Sequence, residues 1–318
     1  MIHTITLPTP FDVGPINVYL LEGPMLTLVD TGAKTSRTMA ELRQGLAAHG
    51  YQVADIRQII ITHAHADHFG LAAEIVAESG AQVLTHRRNL YWLTDYQNEW
   101  VRRYDFYQDV FLQSGLSDEL AQQVRDASAA MMRYADSVPV ARLLDEGDML
   151  DLDGALWRTL FTPGHAGGLI CLHQAEKRVL LSSDHLLKHI TSNPLLEPPG
   201  RGETTRRRSL VEYLASLRRI AALDLALALP SHGQPIHDPG ALIRERLNFH
   251  HRRQARILAL LDGGGRTAYQ IAQSLWAELS PLNIFLALSE VIGNLDVLED
   301  EGRVVQAPSD GRILYTRS

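Results

Sequence analysis

An α/β fold is what this 318-residue sequence predicts, and three observations carry it. A β-branched run, Ile59-Ile60-Ile61, leads through Thr62 into a helical stretch to Ser79 and a strand at Gln82 to Thr85, which is a β-α-β unit. A second β-rich half begins near Val140. Helical spacing without strand pattern dominates residues 87–137 and the tail from about Arg244, so the expected division is an α/β domain over 1–243 with a helical insertion, and a smaller unit over 244–318.

Composition narrows the class. Hydrophobic content of 45% and charged content of 21% are ordinary for a globular chain, and a formal net charge of −7 leaves no footprint for indiscriminate binding to nucleic acid or membrane. The single cysteine, Cys171, sits in the apolar run Leu169 to Leu172, which rules out an intramolecular disulfide and reads as a small buried hydrophobe. Met1 to Leu7 alternates like a strand and lacks a basic leader pattern, and no stretch approaches a membrane span. A cytoplasmic enzyme without membrane partners is the expectation.

Taken in order, residues 1–30 read as β structure: a first strand, a turn around Pro8 to Pro15, then Asn17 to Leu21 and Leu26 to Val29 about Gly23-Pro24. Ser36 to His49 has helical spacing and Gly50 closes it. The strand Ile56 to Thr62 follows, then a helix from about Phe69 to Ser79. Between 87 and 137, Tyr91, Trp92, Trp100, Tyr104, Phe106, Tyr107 and Phe111 concentrate aromatics, which suits a lid over a pocket, with Tyr104, Tyr107 or Phe111 touching substrate, or equally a packed hairpin. Leu143-Leu144 reads as a strand ending in a turn, Leu156 to Phe161 as a strand, and Leu169 to His173 with Arg178 to Leu181 as a hairpin. A helix through Leu210, Leu214 and Leu217 precedes the strand Leu225 to Leu229.

Between Thr62 and Gly70, the chain reads His63-Ala64-His65-Ala66-Asp67-His68-Phe69. If it stays extended past Thr62, residues two apart point the same way, so His63 and His65 present imidazoles to one point. Asp67 and His68 fall where strand pattern gives way to helix, aimed beside the first point. Clustered imidazoles around a carboxylate would stay unpaired or repel without a cation, so the pattern points to metal.

His-x-His-x-Asp-His after an apolar strand resembles the signature of the metallo-β-lactamase-fold hydrolases, which include glyoxalase II, lactonases, phosphodiesterases, ribonucleases and sulfur dioxygenases. The resemblance implies a four-layer αβ/βα sandwich and extends to Thr162-Pro163-Gly164-His165, Asp184 and Pro230-Ser231-His232. It implies that His63, His65 and His165 hold one metal, that Asp67, His68 and His232 hold a second, and that Asp184 bridges both. Asp67 and Asp184 would be the catalytic carboxylates, and Asp30 of Asp30-Thr31-Gly32 would support the metal loop. Zinc suits the imidazole-rich set best, with iron or manganese compatible.

His185 and His189, which follow Asp184, are weaker candidates for substrate contact, as is Arg207 in the basic run of Arg201, Arg206, Arg207 and Arg208; such runs more often form a solvated face. The tail reads as three helices and two short strands and resembles a winged-helix domain like that appended to the lactamase-β-2-like branch. Residues 244–318 hold nine Lys+Arg and nine Asp+Glu, a balance of zero, which favours packing or dimerisation over nucleic-acid binding. The expected function is hydrolysis of a small ester, thioester or lactone by a hydroxide bridging two metals. Alternatives are a phosphodiesterase or ribonuclease, a mononuclear iron sulfur dioxygenase, and a metal- or ligand-sensing DNA-binding protein.

Overall fold

A computed structural model describes residues 1–318. Six strands, β1 (Ile2–Leu7), β2 (Ile16–Leu21), β3 (Thr27–Val29), β4 (Gln58–Ile61), β5 (Gln82–His86) and β6 (Arg142–Leu144), form the first sheet in sequence order. The first three are antiparallel, and the last four run parallel. Helices α1 (Ser36–Ala48), α2 (Ala66–Phe69) and α3 (Ala72–Ser79) intervene, and α4 (Leu90–Thr94), α5 (Tyr96–Gln113) and α6 (Asp118–Ala129) make the insertion between β5 and β6. The second sheet, ordered β11-β10-β9-β8-β7, contains β7 (Met149–Leu152), β8 (Ala155–Phe161), β9 (Ile170–Gln174), β10 (Val179–Ser183) and β11 (Leu227–Pro230), with α7 (Ser209–Ala221) crossing between the last two.

Strand alternation builds the layers. Tyr19, Val29, Ile60 and Leu84 point inward and meet Trp157, Ile170, Leu172 and Leu181 of the opposite sheet in one core. Their neighbours Val18, Leu28, Ile59, Ile61 and Val83 point outward onto Leu42 and Leu46 of α1 and Ile75 of α3. On the far side Leu160, Cys171, Leu180 and Ala228 pack against α7 and α8 (Pro239–Leu261). The product is an αβ/βα sandwich, with Cys171 buried as its apolar surroundings predict.

The tail comprises α8, α9 (Ala268–Leu275), α10 (Pro281–Asp300) and the hairpin β12 (Val304–Ser309) and β13 (Arg312–Arg317). Its core is shared: Tyr107, Phe111, Leu116 and Val124 of the insertion pack into the same cluster as Ile257, Ile271, Leu288, Val291 and Tyr315. Insertion and tail therefore form one helical wall. Helix α10 is long and apolar enough to cross a membrane by length and composition, contrary to the expectation that no stretch would be, but 67% of that window is buried inside the protein.

Three elements differ from the sequence reading. The single helix over Phe69 to Ser79 is broken at Gly70-Leu71, because Leu71 N–H donates to Gly32 O and Thr31 N–H to His68 O. Only glycine fits at 70, where an added Cβ would lie 2.3 Å from Tyr134 O and 2.5 Å from Lys34 N. Strand β6 pairs with β5 and so belongs to the first sheet, not to the second half. Strand β7 is absent from the sequence reading, although Met149-Leu150-Asp151-Leu152 and the Asp153-Gly154 turn, both at positive φ, carry a hairpin signal.

The basic run serves packing. Arg201 pairs with Asp95 and Glu99, each at 2.7 Å, Arg206 holds buried Asp296 of α10 through two 2.6 Å hydrogen bonds, and Arg208 pairs with Glu299 and Asp300. Arg206 and Arg208 strap α10, and Arg201 the insertion, to the segment that precedes α7, while Arg201 and Arg208 stay partly open to solvent.

Candidate metal centre

The site is built where β4, β8, β10 and β11 end, on loops whose geometry is set by buried hydrogen bonds. Asp30 adopts φ 59°, a left-handed conformation uncommon outside glycine, and accepts from Thr62 N–H, Thr62 Oγ1–H and His68 Nδ1–H, each at 2.8 Å. The expected supporting carboxylate is thus in contact with the loop it was read to support. Ser183, also left-handed at φ 48° after a register shift in β10, bonds Thr62 Oγ1 at 2.8 Å and aims the next residue, Asp184, at the cluster. Sequence reasoning missed Ser183, because its role depends on a contact across 121 residues. In the His165 loop, Gly164 lies against Tyr213 so closely that a Cβ would come within 2.4 Å of its Cα.

All seven residues converge. Potential ligand atoms of His63, His65 and His165 lie within 4.8 Å of one another, as do those of Asp67, His68 and His232, and those of His63, His68 and Asp184. Asp184 Oδ2 is 3.4 Å from His165 Nε2 and 3.5 Å from His68 Nε2, and Oδ1 is 3.7 Å from His232 Nε2, so one carboxylate faces both groups.

The donor chemistry fits divalent cations. His65 Nδ1 lies 2.9 Å from His63 Nε2 and 3.0 Å from His165 Nε2, three ring nitrogens turned on one point. Burial, reinforced by neighbouring imidazoles, holds His63 and His65 well below the ordinary range, and burial lowers His165 despite Asp184. They are neutral and offer lone pairs. Asp30, Asp67 and Asp184 are buried with no Lys or Arg partner, so their charge is balanced either by protonated His68 and His232 or by cations bound in their place. Burial disfavours charge on His68, but Asp184, Asp30 and Asp67 outweigh it and raise its pKa well above the usual value. Burial likewise opposes an ionised Asp184, yet His68 and His232 bring its carboxyl well below the normal range.

The outer nitrogens are fixed too: His165 Nδ1–H donates to Asn193 O at 3.0 Å and His232 Nδ1–H to Pro15 O at 2.8 Å. Those bonds leave Nε2 as the inward lone pair. His68 Nε2, His232 Nε2 and Asp184 Oδ1 are buried without a hydrogen-bond partner, as ligand atoms would be.

Beside the cluster lies a cavity of about 490 Å³ with His65, Asp67, His165 and Asp184 in its wall, and 15 of its 26 lining residues are hydrophobic. Much of the rest comes from α5 (Tyr96, Trp100, Arg103, Tyr107) and α10 (Leu282, Phe285, Leu286), the two halves of the helical wall, with the segments 11–13 and 187–195 adding to it. Of the substrate-contact candidates only Tyr107 lines it, with its hydroxyl donated to Leu196 O. Tyr104 is on another face of α5 and donates to Arg125 O, while Phe111 is sealed in the helical core. His185 is fully buried against Tyr213, where burial pushes it down to about 3 and keeps it neutral. His189 is exposed outside the cavity, and Arg207 lines a smaller neighbouring cavity, bound to Glu203. Sequence reasoning missed Arg103 and the α10 residues, since no motif marks them.

Two clusters of buried imidazoles and carboxylates at the strand ends of an αβ/βα sandwich define a metal-dependent hydrolase. The chain belongs to the metallo-beta-lactamase superfamily, whose family model matches residues 11–232. It is 34% identical to the probable metallo-hydrolase YqjP of Bacillus subtilis over 99% of this chain and 97% of that protein. It is also 26% identical to the atrochrysone carboxyl ACP thioesterase of Aspergillus fumigatus, over 44% of this chain and 40% of that one. Among solved structures, a metallo-beta-lactamase family protein from Thermus thermophilus superposes with a TM-score of 0.84 at 27% identity, covering 100% of this chain and 98% of that one.

Proposed function

We propose that the protein is a dinuclear hydrolase of small esters or thioesters with an apolar acyl group. The observation that carries this reading is the predominantly hydrophobic cavity with four of the seven candidate ligands in its wall. His63, His65 and His165 would hold one ion, Asp67, His68 and His232 the other, and Asp184 both. Zinc is the preferred metal for so imidazole-rich a set. Bound there, divalent ions would supply a nucleophile at neutral pH, by lowering the pKa of water from 15.7 to about 7, and would polarise the acyl oxygen.

The chain's own residues do the rest. Asp30, Asn193 O and Pro15 O hold the imidazoles in one tautomer and orientation. Trp92, Tyr96, Phe285 and Leu286 enclose the acyl body and exclude water from it. Similarity to an acyl-carrier thioesterase supports the acyl class. A nucleic-acid substrate is disfavoured, because Arg206 and Arg208 are engaged by Asp296, Glu299 and Asp300. The three helices and hairpin of the tail would suit the winged-helix resemblance, and we read them as a wall of the substrate cavity that shares its core with the insertion.

Elemental analysis of the purified protein, paired with turnover of an aryl ester, a thioester, a lactone and bis(p-nitrophenyl) phosphate, tests the proposal. About two zinc per chain with acyl turnover is the expected result. Preference for the phosphodiester, or one iron with oxygen uptake, would replace it.

A further inference from the structure

The cavity wall carries a pair of polar groups that the hydrolytic site does not use. Trp100 and Arg103 stand one turn apart on α5, and both line the 490 Å³ cavity. Trp100 Nε1 and Arg103 Nε are buried donors without a hydrogen-bond partner. Arg103 is only 9% exposed, and its guanidinium lies 3.8 Å from the centre of the Trp92 ring. Its other nitrogens make only long contacts, 3.4 Å to Tyr107 Oη and 3.5 Å to Glu197 Oε1. A buried donor left unpaired costs about 1–3 kcal/mol, and more when charged. Both residues line the cavity, so an acceptor entering it would meet a guanidinium whose present hydrogen bonds are long and incomplete.

We propose that Arg103 and Trp100 bind a carboxylate on the substrate, so that the preferred acyl compounds have an apolar body with a second, anionic end. The proposal rests on the acyl-hydrolase reading for its reaction and specifies which acyl compounds that reaction takes. Charge selects the group. Glu197, 3.5 Å from Arg103, is one counter-charge already, but the adjoining cavity that Arg103 also lines has six arginines against three glutamates, so its boundary keeps a positive excess. A carboxylate can take two parallel hydrogen bonds from one guanidinium, whereas a phosphate dianion would bring a second charge up to Glu197. Arg103 also lines the adjoining polar cavity of about 240 Å³, which shares Ala64, His65 and Trp92 with the larger one. It therefore stands at the polar boundary of an otherwise apolar chamber.

The test uses a matched pair, the p-nitrophenyl ester of octanoic acid and the p-nitrophenyl monoester of octanedioic acid, with kcat/KM measured for each on the metal-loaded full chain. The wild type is expected to prefer the carboxylate-bearing ester by about 10-fold or more, and Arg103→Gln to lower that ratio about 10- to 100-fold, the range for a hydrogen bond to a charged group. Arg103→Lys should recover only part of it, because charge returns without the Nε–H donor. Since Arg103 stacks on Trp92 and its replacement could unfold the wall, Trp100→Phe and Glu197→Gln give independent arms: the first should lower the ratio several-fold and the second raise it. Calorimetric binding of octanedioate against octanoate separates this inference from the reaction: octanedioate should bind the wild type about 10-fold more tightly, and Arg103→Gln should remove the difference. If neither ester is hydrolysed but octanedioate keeps its Arg103-dependent advantage, the acyl-hydrolase reading fails and the site stands. Equal handling of the pair by the wild type, or an unchanged ratio in a folded Arg103→Gln, overturns the site.

Discussion

The metal cradle and the helical wall contribute to the same cavity but are built on opposite principles. In the cradle, ligands come from short loops at strand ends, and Asp30, Thr62 and Ser183 orient them through buried hydrogen bonds of 2.8 Å. In the wall, helices separated by more than a hundred residues share one apolar core, tied down by Arg206 on Asp296 and Arg253 on Glu290. Chemistry here is local and specified by polar geometry. Substrate selection is distributed and specified by packing.

The sharpest break between the two is at Asp184. Asp184→Asn should lower turnover by about 10²–10³-fold or more, the scale for removing one charge-stabilising group, with loss of bound metal by elemental analysis and little change in the wall. An equal effect from a wall substitution would erase the distinction. Conversely, Arg206→Ala leaves Asp296 buried without its partner, and it should cost about 3–5 kcal/mol in denaturant unfolding, the scale for breaking a buried pair, with the metal ligands untouched.

Asp30→Asn tests the support of the cradle. The side chain would keep its shape but lose charge beside His68 Nδ1, so metal affinity should fall about 10- to 100-fold in a chelator competition. Within the wall, Phe285→Ala should raise KM more than it lowers kcat, and metal content should hold.

His250 provides a smaller, pH-dependent handle. Burial, aided by Arg253 and Arg246, pushes its pKa from 6.5 down to about 4, so the folded state binds it neutral. Stability from that preference is present above pH 6.5 and lost as pH falls toward about 4, because the unfolded chain takes up the proton first. His250→Gln should flatten the dependence of unfolding midpoint on pH across that window.

Much of the sandwich and of the candidate ligand set was legible in the chain. Ile59, Ile60 and Ile61 announce a strand buried on both faces, and His63, His65, Asp67 and His68 point to a cation site because imidazoles clustered about a carboxylate would otherwise stay unpaired or repel. The helix after the motif reads as continuous in the sequence because its break depends on Gly32 and Tyr134, which approach only in the fold. Tyr104 and Phe111 look as suited to the cavity as Tyr107. Helical rotation and the neighbour across the interface decided between them, placing Phe111 in the shared core and turning Tyr104 toward Arg125.

By itself, then, the sequence determined the α/β class, the strands that carry the loops and the cluster His63, His65, Asp67 and His68 suited to hold metal, while His165, Asp184 and His232 joined that set through the resemblance of their loops to the family's. Those signals are short-range, set by side-chain period and by donor type within a few positions. Only the tertiary structure decided that the insertion and tail are one wall, that Arg206 and Arg208 of the basic run pair with α10, and that Arg103 lines an apolar chamber. Those outcomes depend on contacts between segments as far apart as Tyr107 and Phe285, or Arg206 and Asp296, and the local pattern of either segment carries no information about its partner.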